Sequence, residues 1–128
     1  MSSWDEEFKK FLTQDVTNWG IEAGTNSQSI DKSTVNNLIS AFYGEEDPMR
    51  GVIITQLYIA RQRGRGEIPL RSASLIMDHI RKIYDKYKQD REKLRDAIET
   101  YLMVFKWSYE SRIKSARNFE EFLSNAVR

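Results

Sequence analysis

At 128 residues the chain is long enough for one domain whose core folds without staples. It has no cysteine, which excludes a disulfide framework and thiolate chemistry. The net charge of +1 hides an asymmetry: residues 1–47 hold three bases and nine acids, net −6, whereas residues 48–128 hold seventeen bases and ten acids, net +7. Such ends suit head-to-tail self-association, or a basic side turned toward an anionic polymer.

The acidic start MSSWDEE has no apolar signal-peptide region, and no apolar run is long enough to cross a membrane. A soluble, cytoplasmic protein without a membrane partner is expected. Over residues 4–19, Trp4, Phe8, Phe11, Leu12, Val16 and Trp19 recur at helical spacing, with Gly20 placed as a stop. Both tryptophans lie on the apolar stripe and read as core rather than as base-stacking residues. Residues 20–30 are rich in Gly, Ser and Asn and read as a loop, flexible or ordered only against a partner.

A helix from Asp31 or Ser33 to Tyr43 follows, with Val35, Leu38, Ile39 and Phe42 inward and Gly44 at its end. Glu45, Glu46 and Asp47 form a solvated acidic turn. Asp47-Pro48 is a cap followed by proline at the first helical position. In the helix it opens, Met49, Val52, Ile53, Gln56, Leu57 and Ala60 form one stripe, and Ile54, Tyr58 and Ile59 lie off it. A helix apolar on more than one side is central in a bundle or covered by another subunit.

The next stretch, L-Y-I-A-R-Q-R-G-R-G-E-I-P-L-R, sets Arg61, Arg63, Arg65 and Arg71 around a turn built from Gly64, Gly66 and Pro69. Guanidiniums so crowded are costly to bury unpaired, and their planar fork matches phosphate. Arginines at helix ends also serve simply to satisfy terminal carbonyls and the helix dipole. The helix that follows, Arg71 to Lys88, turns Ala73, Ile76, Met77, Ile80, Tyr84 and Tyr87 inward. Arg81, Lys82, Lys86 and Lys88 extend the positive charge outward. Between residues 48 and 88 nine bases face three acids.

Asp90 caps the longest predicted helix, residues 91–117, with a stripe of Leu94, Ile98, Tyr101, Leu102, Phe105 and Tyr109. Lys106 stands out within its apolar part, positioned to snorkel, to pair with an acid or to reach a phosphate. A short last helix, Asn118 to Ala126, carries Phe119, Phe122 and Leu123. No segment alternates with the two-residue period of a strand. The fold class is all-α, a compact bundle of five to six helices in one domain spanning residues 1–128.

Catalytic chemistry is not visible. One histidine, His79, and no cysteine leave no recognisable zinc spacing, and no metal or other cofactor is expected. G-R-G at 64–66 lacks the length and the Lys-Ser/Thr pair of a phosphate-cradling loop. Asp78 and Asp85 share a helix face, where surface charge explains them as well as acid–base pairing does. No nucleophile–base pattern appears, so no enzyme is expected.

The segments S-T-V-N-N-L-I-S-A-F-Y, L-Y-I-A-R-Q-R and E-T-Y-L-M-V-F-K, within residues 31–112, resemble the small helical subunit of type III CRISPR effector complexes, the Csm-type small subunit. The chain departs from that pattern at Ser40, where an arginine would fall, and at Val104 and Phe105, which replace an aromatic–histidine pair. The resemblance implies a non-catalytic subunit that stacks in several copies beside the other effector subunits. It also implies binding of the guide–target duplex or target strand through the RNA backbone. Arg61 and Lys106 match the family's basic places, whereas Arg63, Arg65, Arg71, Arg81 and Lys82 join them on charge alone. The competing expectation is a helical protein–protein adaptor using Ile54, Tyr58 and Ile59. A DNA-binding regulator is a weaker one, since no helix-turn-helix recognition segment stands out.

Overall fold

A computed structural model describes residues 5–127; Trp4, placed on the first apolar stripe, lies outside them. All regular structure among these residues is helical. Two compact units make up the chain, one combining the stretch to Gln28 with residues from Arg95 onward, the other Ser29–Leu94.

In the first unit, Asp5 caps α1 (Glu6–Lys10) by accepting a hydrogen bond from the Phe8 amide at 2.8 Å. The helix passes without a break into a π-helical stretch, Phe11–Val16, and then α2, Thr17–Thr25. The Thr17 hydroxyl donates to the Leu12 carbonyl five residues back, at 2.7 Å, as the wider turn permits. Phe8, Phe11, Leu12 and Val16 are buried, and Trp19 is half-buried with its ring edge-on to Phe11.

Gly20 does not stop this helix. It lies inside α2, and its role is close approach to α6 (Arg91–Glu110). A Cβ on Gly20 would stand 2.8 Å from the Val104 Cβ, and one on Gly24 would stand 2.5 Å from the Phe105 carbonyl oxygen. The expected 20–30 loop therefore shrinks to a turn after Thr25. The buried Thr25 hydroxyl oxygen accepts from the Ala116 amide at 3.0 Å and ties the turn to the segment after α6.

The stripe of α6 is as expected: Leu94, Ala97, Ile98, Tyr101, Leu102 and Phe105 are fully buried, and Tyr109 nearly so. The helix ends at Glu110, not 117. The Ser111 hydroxyl turns back to the Ser108 carbonyl at 2.6 Å and accepts from the Ile113 amide at 3.1 Å. These local bonds offer the backbone an alternative to another helical turn. Arg112, Lys114 and Arg117 thus lie beyond the helix rather than in its last turn. Finally α7 (Phe119–Ala126) is capped by Asn118, which accepts from the Glu121 amide at 2.9 Å, and is held to α2 by Phe119 N donating to Asn18 Oδ1 at 3.0 Å.

The second unit holds α3 (Lys32–Tyr43), α4 (Pro48–Gly64), α5 (Leu70–Tyr87) and the first turn of α6. Asp47 caps α4 by accepting from the Met49 amide at 3.0 Å, with Pro48 opening the helix as expected. The phase of α4 is not the expected one. Its buried face is Pro48, Gly51, Val52, Thr55, Ile59 and Gln62, while Ile53 and Leu57 are 53% and 63% exposed. The reason is again a close approach: a Cβ on Gly51 would meet the Phe42 ring at 2.7 Å, so the glycine face of α4, not its richest apolar face, turns toward α3. Ile59, off the expected stripe, is fully buried, as a helix central in its unit requires, whereas Ile54 and Tyr58 are half-buried. The α5 core face likewise adds Ser72, His79 and Ile83, while Met77, Tyr84 and Tyr87 are only half-buried.

Candidate nucleic-acid interface

The arginine turn has a defined backbone. The Gly66 amide donates to the Arg63 carbonyl at 3.0 Å and the Glu67 amide to the Gln62 carbonyl at 2.8 Å. These are the paired bonds of a Schellman closure, with Gly66 as its left-handed residue at φ +77°. Ile68, 1% exposed, plugs the turn into the unit, and Pro69 then precedes the first residue of α5. Around this closure Arg61, Arg63, Arg65 and Arg71 are all exposed. Among the described residues none of the four has a carboxylate within 4.0 Å, Glu67 of the same turn included. The arginines are neither buried nor neutralised by any described residue, and the turn that carries them is anchored.

The extension of this charge along α5 is partly cancelled. Arg81 faces Asp85 at 3.6 Å and Lys82 faces Asp78 at 3.0 Å, each one turn along the helix. Asp78 and Asp85 therefore serve as ion-pair partners. Lys86 and Lys88 lie over the Tyr87 and Tyr84 rings at 5.7 and 5.9 Å. His79 is 2% exposed. Burial pushes its imidazole down to about pKa 4 against the opposing pull of Asp78, so it is neutral at pH 7.

Lys106 belongs to the other unit, half-buried on α6 and without a carboxylate partner among the described residues. The folded units also redistribute the charge seen along the chain. Residues 1–28 with 95–128 hold eight bases and ten acids, net −2, and residues 29–94 hold twelve bases and nine acids, net +3. The steep −6 and +7 asymmetry of the two chain halves is thus reduced in the units, chiefly because Asp31, Glu45, Glu46 and Asp47 fold with the basic stretch that follows them.

Two features escaped the sequence reading. Trp107 is 64% exposed on α6, one turn beyond Met103 at 43%. Both positions fall off the Leu94–Tyr109 stripe, which is the signal that could have found them. Arg112, just past the end of α6, takes a left-handed backbone at φ +63°. Only in the folded chain is that visible. No protein-family model, no characterised protein and no solved structure matches the chain.

Proposed function

We propose that the protein is a non-catalytic RNA-binding subunit that grips the phosphate backbone without reading sequence. The observation that carries this reading is the exposed, carboxylate-free set Arg61, Arg63, Arg65 and Arg71 on an anchored turn. Backbone binding needs cations that release condensed counterions, and it needs no base-reading side chains. The resemblance of residues 31–112 to the Csm-type small subunit supports a type III CRISPR effector in the cytoplasm as its setting. There it would stack in several copies beside the other subunits, with base pairing supplying specificity elsewhere in the assembly. Lys106 adds a separate cationic contact; Arg81 and Lys82 contribute less, because each already faces an acid.

The test is titration of labelled single-stranded RNA at several salt concentrations. Joint replacement of Arg61, Arg63 and Arg65 by alanine is expected to flatten the salt dependence by about two units, at roughly 0.7 per single-strand phosphate contact. An unchanged slope and affinity would overturn the reading.

A second reading, a helical adaptor that binds no nucleic acid, is favoured by the α4–α5 groove. This cavity of about 330 Å³ is lined by Val52, Ile53, Gln56, Leu57, Arg81 and Tyr84. It is the exposed alternative to Ile54, Tyr58 and Ile59, of which Ile59 is buried. Its mark is a protein complex that survives nuclease treatment and high salt.

A further inference from the structure

We propose a second, chemically different contact in the other unit: Trp107 is a stacking platform for an unpaired nucleobase, with Lys106 and Arg112 holding the flanking phosphates. This inference rests on the RNA-binding reading and narrows the ligand to single-stranded RNA. A tryptophan indole left 64% exposed on a helix, with Met103 one turn before it, is an apolar surface that water solvates poorly. Every base presents a π-face to such a ring, so stacking tolerates any sequence but requires a base free of its duplex.

The neighbouring charges favour a polyanion over an apolar protein knob. Lys106 precedes Trp107 in the helix, and Arg112 and Lys114 follow on the segment that leaves it. Among the described residues none of these three cations lies within 4.0 Å of a carboxylate. Glu110 is the opposing acid and is likewise unpaired, leaving this stretch with three cations to one anion. Arg117, farther on, is engaged by Glu121 through bonds of 2.7 and 3.1 Å and does not contribute. Arg112 supplies the independent observation. Its guanidinium sits 5.8 Å from the centre of the Tyr109 ring while its backbone is left-handed, in a position after a helix end where glycine is the favoured residue.

The experiment compares binding of a labelled oligouridine and of an RNA duplex of equal length to the full chain. Trp107→Ala is expected to weaken oligouridine binding about tenfold while leaving duplex affinity and the salt slope unchanged, and Trp107→Phe to restore most of the loss. Arg112→Gly, which suits the left-handed backbone, is expected to flatten the salt slope by about 0.7 with the fold intact. Indole emission is expected to be quenched by oligouridine in the parent chain and much less in Trp107→Phe. Parent-like oligouridine affinity in Trp107→Ala, or an equal loss on duplex, overturns the proposal. So does loss of self-association in Trp107→Ala with RNA binding intact, which would make the ring a protein contact. If the triple arginine variant is impaired while Trp107→Ala is not, only this inference falls. If the triple variant binds as the parent does, the arginine-turn reading falls instead.

Discussion

Two helices of this protein end through a left-handed residue, and they do so with different chemistry. At the exit of α4 the residue is Gly66, at φ +77°, and the arginines around it keep ordinary backbone angles. At the exit of α6 the residue is Arg112 itself, at φ +63°. Left-handed backbone costs a non-glycine residue about 1 kcal/mol. At the first exit, geometry and charge are divided among neighbours and neither compromises the other. At the second, one residue carries both, at a cost in stability.

The largest expected effect concerns the support beneath the α6 exit. Gly24 lies against the last turns of that helix, where a Cβ would stand 2.5 Å from the Phe105 carbonyl oxygen and 2.9 Å from the Tyr109 amide nitrogen. Backbone atoms cannot step aside as a side chain can. Gly24→Ala is therefore expected to cost about 3 kcal/mol in urea denaturation. Gly64, in the last turn of α4, has open space where a Cβ would go. Gly64→Ala is expected to be neutral or to gain about 0.5 kcal/mol from helix propensity. Similar losses at both sites would erase the contrast.

Acid probes the α4–α5 side. Because His79 titrates near 4 in the folded chain and at 6.5 when unfolded, the unfolded state takes up the proton first. Stability is full above pH 6.5 and is expected to fall as the pH drops toward 4, by about 3 kcal/mol from this group. Denaturation midpoints across that range check the slope, and His79→Gln should remove this group's share of it. Smaller, and opposite in sign, are the two exchanges at the exits. Gly66→Ala is expected to lose about 1 kcal/mol and Arg112→Gly to gain about as much, both read from urea midpoints. Two changes of the same sign would refute the division of labour. The smallest effect on stability belongs to the triple alanine variant of Arg61, Arg63 and Arg65. Exposed and unpaired side chains should shift stability by no more than about 0.5 kcal/mol while RNA binding weakens.

Much of the fold was legible. Asp47 and Asp90, read as caps, each accept an amide near the start of a helix, and helix-start chemistry is written in adjacent residues. The α6 stripe was equally clear, because every third or fourth residue there is large and apolar. What failed was the reading of glycine. Gly20 looks like a stop and Gly24 like part of a loop in one dimension, yet both permit an approach set by residues about eighty positions away. Gly51 does the same to α4, rotating it so that Thr55 and Gln62 enter the core while Leu57 leaves it. The buried Thr55 hydroxyl has no hydrogen-bond partner among the described residues, an energetic cost that no periodicity argument would choose. The arginine turn was readable because Gly66 and its arginines are neighbours in sequence. Whether those arginines would find carboxylates depended on side chains far along the chain, which spacing alone does not reveal.

The Schellman closure has a practical corollary. The Arg65–Gly66 peptide bond follows an exposed arginine and lies just outside the helix, so trypsin would recognise it at once in an unfolded chain. A protease needs several residues drawn out straight, and the hydrogen bonds that the Glu67 and Gly66 amides donate to the Gln62 and Arg63 carbonyls, with Ile68 held inside, oppose that. Cleavage there would time the opening of this one corner, and a bound polyanion would protect it.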